Sequence, residues 1–393
     1  MPPRTRIVLA GSAVILVIAI AVSAGRGGAA PLRLPSGRLT WSATPLGYAT
    51  GHDPQFVARA VSGSAYVLFA KSPGGVVATA ARVAAFRRLI NAAVAGTGIS
   101  PNVLEGLVFL ESAGNPNALG GPDAADAAGL TQILAQTGSS LLGMKINLAE
   151  SRRLTGEIDA AYSAGNGALE AQLQRRRARI DARFDPVRAL AATVRYLKLA
   201  ERAFGGRLDL AVVAYHMGIG NLQHVLSLYD GGAAVPYVKL YFDTYPDHDA
   251  SAYNLLSSLG DDSNLYWWRV LGAVQIMQLY REDPTALRRL VSQALAPRRM
   301  SSGTLAPAAV DLLAELQYSV RQLWPGHVPL RVASRGGLTF SIARRYASYA
   351  QAAAFQAVLD RLQTLSLISW TRTRKRIDVT VAPDAASYLV NGP

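Results

Sequence analysis

Glu111 is the residue whose position points most directly to chemistry. Ser100 and Pro101 are typical of a helix start, because a hydroxyl caps free backbone N–H groups and proline suits the first helical position. An apolar stripe within residues 104–108 follows, and Glu111 takes its next position, close to the end of the helix at Gly114. The negative end of the helix dipole and partial burial both raise a carboxyl pKa. The pattern predicts an acid that donates a proton near neutral pH, and it leaves open a side chain turned to solvent or paired with arginine.

The elements around this helix divide the chain into several parts. Apolar residues three and four apart predict an all-helical domain over residues 79–260 and a helical extension over 261–300. The Gly-, Pro- and Ser-rich stretch 26–78 predicts a linker or loosely packed lead-in. Residues 301–393 predict a small α+β domain of uncertain role, since residues 377–381 alternate as a half-buried strand does.

The N-terminal residues predict export. Arg4 and Arg6 precede an apolar run over residues 7–24, long enough for either a transmembrane anchor or a signal peptide over residues 1–25. Small residues at 22–24 suit cleavage, so both readings stay open, with the membrane as a partner if the helix is retained. The two arginines place the following residues on the outer side of the membrane.

Composition restricts the possible partners. The 40 basic and 26 acidic residues give a formal net charge of +14, which favours polyanionic surroundings. With export, those polyanions are cell-wall polymers rather than nucleic acid. The absence of cysteine excludes disulfides, cysteine-bound zinc and thiol nucleophiles. The sequence predicts neither a metal nor a cofactor.

Three motifs occur in an order typical of one family. They are Phe-Leu-Glu-Ser-Ala-Gly-Asn-Pro-Asn-Ala at 109–118, Gly-Leu-Thr-Gln-Ile at 129–133, and Ala-Tyr-His-Met-Gly-Ile-Gly-Asn at 214–221. Together they resemble the soluble lytic transglycosylase family of peptidoglycan-cleaving enzymes, over about residues 80–245. Shorter matches occur at 184–186 and 236–238. The resemblance implies a mainly α, lysozyme-like helical domain.

The resemblance also implies roles for individual residues. Glu111 corresponds to the catalytic acid/base. The implied glycan contacts are Ser112, Gly129, Leu130, Gln132, Tyr215 and Tyr237. Among them, the Gly129 backbone would approach sugar closely, the Gln132 amide would form hydrogen bonds, and the two tyrosines would lie beside the acid. The departures from the family pattern, which affect subsite preference, are Thr131, His216, Met217 and Ile219. The arginine-rich run at 174–179 predicts a solvated helix face or a contact for wall polyanions.

The implied reaction cleaves the MurNAc-β-1,4-GlcNAc bond and leaves a 1,6-anhydro-MurNAc end, with peptidoglycan strands as the partner and no cofactor. Ordinary glycosidases use two carboxylates. Glu105 lies six residues before Glu111, about 240° around the helix, and so does not share its face. Asp123 or Asp126 would serve a hydrolytic, lysozyme-like muramidase, the first alternative. The second alternative is a catalytically silent wall-binding scaffold.

Overall fold

The computed structural model describes residues 46–260, 262–295, 303–326 and 330–392. These residues are mainly helical and include one small sheet near the end of the chain, as the fold class predicted. The apolar segment 7–24 lies outside the described residues. Among the described helices, none has both the length and the apolar character needed to cross a bilayer.

The described chain forms two compact units. The first contains residues 65–222 and 259–295, and the second contains residues 46–64, 223–258 and 303–392. The division between the units falls inside two helices, α1 (Asp53–Lys71) and α9 (Ile219–Asp230).

The first unit contains the helix of Glu111. Its helices are α2 (Val76–Ala84), α3 (Arg87–Val94), α4 (Pro101–Ser112), α5 (Leu148–Ser163), α6 (Gly167–Ile180), α7 (Pro186–Ala203), α8 (Leu208–Met217), α12 (Tyr266–Glu282) and α13 (Pro284–Ala294). A π-helical turn (Thr137–Leu141) and two 3-10 turns (Ala182–Phe184 and Ser263–Leu265) connect some of them.

Helix α4 lies at the core of the first unit and packs against α12. The apolar stripe is buried as predicted, because Leu104 and Leu107 have no exposed surface and join Val270 and Ile276 of α12 in one cluster. Burying each leucine contributes about 1.5–3 kcal/mol to folding. Residues 261–300 were predicted as a separate extension, but α12 shares the core of α4.

Helices α5 and α6 form a hairpin with a small core of its own, including Leu154 and Leu173. The prediction of a solvated face at residues 174–179 is wrong for Arg177, which is only 1% exposed. Its guanidinium lies 3.6 Å from the ring centroid of Phe184. Burial lowers the pKa of Arg177 to about 10. The apolar stem and the planar head of arginine make such burial possible.

The prediction of a linker over residues 26–78 is wrong where α1 forms. Phe56 is fully buried in this helix. Gly63 signals a close approach rather than a loop, because a Cβ added there would lie 2.1 Å from the carbonyl oxygen of Gln363. Glycine therefore allows a helix to pack tightly in a stretch whose composition is typical of loops.

The second unit contains the sheet. Its remaining elements are α10 (Tyr237–Asp243), α11 (Ala250–Ser258), α14 (Pro307–Leu323), β1 (Val332–Ser334), β2 (Thr339–Ala343), α15 (Tyr349–Thr364), β3 (Ile368–Arg372), β4 (Arg376–Val381) and α16 (Ala385–Asn391). The strands are antiparallel in the order β1-β2-β4-β3, with Phe340 opposite Val379 and Val379 opposite Trp370. Burial alternates along β4 as the sequence predicted, with Ile377, Val379 and Val381 inward.

Arg361 of α15 ties residues 241–244 into the second unit. Its guanidinium is buried and donates hydrogen bonds to the carbonyls of Leu46, Tyr241, Phe242 and Thr244, at 2.6–3.1 Å. The last carbonyls of a helix have no partner within it, so these bonds satisfy the end of α10. Part of the range predicted as one domain, 79–260, therefore folds with the C-terminal residues.

Glu105 joins three helices of the first unit. Its carboxylate is fully buried, and Oε2 accepts hydrogen bonds from Arg87 of α3 at 2.8 Å and from Arg281 of α12 at 2.5 Å. A buried charge is tolerated when it is paired in this way. As the helical spacing predicted, Glu105 serves a different face of α4 from Glu111.

We expect Glu105→Gln to lower the free energy of unfolding by about 1–3 kcal/mol, because both arginines lose their charged partner. Urea denaturation measures the change. Glu282→Gln, at an exposed glutamate of the same helix as Arg281, is the matched control. A loss no larger than that of the control would contradict a supporting role for the buried pairs.

Candidate active site

Local sequence signals place Glu111 in the last turn of α4. The Ser100 hydroxyl accepts a hydrogen bond from the Asn102 N–H, and Pro101 begins the helix as predicted. The helix ends at Ser112, and Ala113 adopts the left-handed conformation, with φ 52°. Glycine and asparagine are the usual residues at such an end. The left-handed residue that ends the helix is thus Ala113, one position before the predicted Gly114.

The carboxyl group of Glu111 occupies an environment that disfavours its charge. The residue is only partly exposed, and burial raises its pKa to about 7. The Tyr266 hydroxyl donates a hydrogen bond to Oε1, and this bond acts in the opposite direction. Loss of hydration disfavours the anion more strongly than one donor favours it. Near neutral pH, both protonation states of Glu111 are therefore accessible.

Tyr266 is the residue of the site that sequence reasoning missed. It begins α12, 155 positions after Glu111, and is 6% exposed. Burial raises the pKa of Tyr266 well above its usual value, and the charge of Glu111 adds to the effect, so the hydroxyl remains a donor. The exposed ring of His216 stacks on the Tyr266 ring, with centroids 4.6 Å apart and planes at 5°. A run of aromatic residues at the start of α12 was the only local signal.

Tyr215 lies close enough to Glu111 to be influenced by its charge. Its hydroxyl donates to the carbonyl of Thr131 at 2.6 Å, and its ring meets Tyr196 edge to face. Burial raises the pKa of Tyr215, and the nearby charge of Glu111 raises it further. The hydroxyl therefore ties α8 to residue 131, and Tyr215 is partly exposed.

Residues 118–135 form the loop that faces these helices, here called the Gln132 loop. Its backbone closes on itself through hydrogen bonds between Ala128 and Ile133 and from the Gly129 N–H to the Ala118 carbonyl. The Gln132 side-chain amide donates to the Gly129 carbonyl at 2.9 Å, and the residue is partly exposed with φ 53°. Gln132 and Tyr215 are thus the predicted binding residues that retain access to solvent.

Three predicted glycan contacts are interior residues instead. Ser112 is 3% exposed, and its hydroxyl donates to the Leu130 carbonyl at 2.7 Å. Leu130 has no exposed surface. Gly129 approaches protein rather than sugar, because a Cβ added there would lie 1.8 Å from the Arg183 carbonyl oxygen. These residues shape the loop, and the prediction that they touch the glycan is corrected accordingly.

Tyr237, the sixth predicted contact, begins α10 in the second unit. It is fully buried, with its ring centroid 6.3 Å from that of Tyr241. A side chain without exposed surface is packed in a core, so the predicted sugar contact of Tyr237 is corrected as well.

The carboxylates considered as partners of Glu111 have other contacts. Asp123 forms an ion pair with Arg152 at 3.0 Å, which holds the pKa of Asp123 below its usual value. Asp126 accepts a hydrogen bond from the Asp123 N–H. In the described part of the chain, no group of three or more His, Asp or Glu residues has the arrangement of a metal site.

We expect Tyr266→Phe to raise the pKa of Glu111 above about 7, because the mutation removes the donor that favours the carboxylate. A carbon-detected NMR titration of side-chain carboxyls follows this pKa, with Glu111→Gln identifying the signal. Tyr66→Phe, at a tyrosine 55% exposed, is the control. A lowered or unchanged pKa in Tyr266→Phe would contradict this description of the site.

Comparison with known proteins supports the resemblance. A family model described as the transglycosylase SLT domain matches residues 168–234. This stretch includes the motif at 214–221, with Tyr215 and His216, and does not include Glu111. No curated protein and no solved structure matches the chain significantly. Through residues 168–234 the chain matches the transglycosylase SLT family, as its motifs predicted.

Proposed function

We propose that this protein is an exported lytic transglycosylase that cleaves the MurNAc-β-1,4-GlcNAc bond of peptidoglycan without water. The SLT match supports a peptidoglycan-acting function at the level of the family. The observation that carries the finer proposal is Glu111, a partly exposed carboxyl whose pKa is raised to about 7 beside the donor Tyr266. This is the pKa range in which one group acts as acid and then as base.

In the first step, Glu111 donates a proton to the glycosidic oxygen. Tyr266 donates to Oε1, so Oε2 is the oxygen free to carry the acidic proton. The C1–O bond breaks as the leaving sugar takes up this proton, and positive charge develops at C1. The Glu111 carboxylate that remains keeps the hydrogen bond from Tyr266.

In the second step, the Glu111 carboxylate takes the proton of the sugar's own 6-hydroxyl. The 6-oxygen then bonds to C1 and closes the 1,6-anhydro ring, so atoms and protons balance without water. Tethered nucleophiles reach effective molarities of about 10⁵ M or more. A second carboxylate to activate water is therefore unnecessary.

The contacts of the other carboxylates support this order of events. Glu105 is paired with Arg87 and Arg281, and Asp123 with Arg152. A hydrolytic muramidase needs a carboxylate that activates water opposite the acid. The ion pairs of Glu105 and Asp123 favour the intramolecular reaction.

The location follows from the substrate and from the N-terminal residues. The pattern of Arg4, Arg6 and the apolar run at 7–24 supports export, with the chain either anchored or released by cleavage. A net charge of +14 suits a polyanionic cell wall. We propose an extracytoplasmic protein that acts on glycan strands and needs no cofactor.

We expect the full chain to digest purified peptidoglycan to muropeptides with anhydro ends, one water lighter than hydrolytic products. Glu111→Gln should lower the rate by a factor of about 10²–10⁴, because it removes the acid and base at once. Mass spectrometry of the products measures both. Glu282→Gln, at an exposed glutamate, is the control and should cleave like the wild type.

Each other outcome assigns a different function. Reducing ends from the wild type would support a muramidase, and no digestion at all would overturn the proposal and support a wall-binding scaffold. Glu111→Gln cutting as fast as the wild type would remove Glu111 from the mechanism.

We expect the cleavage rate to fall above about pH 7, since the first step needs protonated Glu111. In Tyr266→Phe, this alkaline limb should move to higher pH, because the lost hydrogen bond had lowered the pKa of the acid. Initial rates across pH 5–9 test both statements. An alkaline limb that stays in place or moves to lower pH would show that Tyr266 does not lower the pKa that sets this limb.

A further inference from the structure

Arg183 is a fully buried arginine in the 3-10 turn before α7. Its guanidinium forms a two-point ion pair with Asp181, from Nε to Oδ1 at 3.0 Å and from Nη2 to Oδ2 at 2.6 Å. The remaining donors reach carbonyls of the Gln132 loop. These are Ala124 at 2.6 Å, Asp126 at 2.8 Å and Ile133 at 3.3 Å.

The backbone of Arg183 supports the same loop. Its carbonyl oxygen fills the space where a side chain of Gly129 would begin, and Gly129 has a φ of 81°. Any larger residue at 129 would collide with this carbonyl. Arg183 thus contacts the loop through its side chain and through its main chain.

Only an arginine makes this set of contacts. Its fork presents five N–H donors in fixed directions, whereas lysine presents one compact ammonium group. Asp181 balances the charge and is itself held by the Ser151 hydroxyl at 2.8 Å. The loop carbonyls therefore receive charge-assisted hydrogen bonds, which are stronger than neutral ones.

The Gln132 loop passes this support on to the candidate site. Its Thr131 carbonyl accepts from Tyr215, and its Leu130 carbonyl accepts from Ser112, which follows Glu111 in the chain. Gln132, the partly exposed side chain predicted to bind glycan, belongs to the same loop. A shift of the loop moves Gln132 and the carbonyls of Leu130 and Thr131 away from their partners on α4 and α8.

We propose that Arg183 is a positioning residue that sets the affinity for glycan by holding the Gln132 loop in its binding conformation. Its effect on glycan affinity rests on the proposed function, whereas its hold on the loop does not. Arg183 touches no substrate, and the ionisation of Glu111 is independent of it.

Arg183→Lys tests the proposal in the full chain, by hydrogen exchange and by steady-state kinetics on solubilised peptidoglycan strands. Exchange should rise in residues 118–135 and stay unchanged in α4. KM should rise about ten-fold with kcat nearly constant, the effect expected for the loss of one charge-assisted hydrogen bond. The pH of the alkaline limb should not move. Arg188→Lys, at an arginine whose side chain is 53% exposed, is the matched control.

The two measurements separate the two hypotheses. Unchanged exchange in the loop would overturn the proposal, and so would a loss confined to kcat, which indicates a smaller folded fraction. If the wild type cleaves no peptidoglycan, the proposed function fails while hydrogen exchange still decides the role of Arg183 in the loop. Should Arg183→Lys not fold, Asp181→Asn, which weakens the same ion pair, should show the same two effects in milder form.

Discussion

The hydrogen bond from Tyr266 to Glu111 is the interaction on which the site depends. It joins α12 to the last turn of α4 at a point where burial opposes the charge of the carboxylate. The core between α4 and α12 brings the two side chains together, because its apolar residues fix how the helices pack. The contact between α4 and α12 thus stabilises the first unit and also places Tyr266 beside Glu111. The Tyr266 hydroxyl lowers the pKa of Glu111, and burial of Tyr266 keeps that hydroxyl protonated.

The family match and the candidate acid occupy different parts of the chain that meet in space. The matched residues 168–234 supply Tyr215, whose pKa is influenced by the charge of Glu111, and His216, whose ring covers Tyr266. Glu111 itself precedes the matched stretch. The motif at 214–221 therefore lies next to the motif at 109–118 in space, in addition to following it in the sequence.

The parts that sequence reasoning predicted depend on short-range signals. Ser100 and Pro101 start α4, and the alternation in β4 places Ile377 inward, because capping and periodicity act within a few residues. Tyr266 was missed because 155 positions separate it from Glu111. The charge of Arg177 predicts a surface residue, because the sequence does not show that the Phe184 ring lies against its guanidinium. The Gly-rich composition around α1 likewise hid a tightly packed helix.

The raised pKa of Glu111 also affects how stable the fold is. Its ordinary value is 4.5, so between that pH and about 7 the folded protein holds a proton that the unfolded chain releases. In acid, Glu111 therefore costs the fold no stability. The free energy of unfolding falls as the pH rises through that window. Above it, the native state carries a poorly hydrated carboxylate, and the free energy of unfolding stays lower. The same burial that raises the pKa of Glu111 therefore lowers the free energy of unfolding at neutral pH and leaves it unchanged in acid.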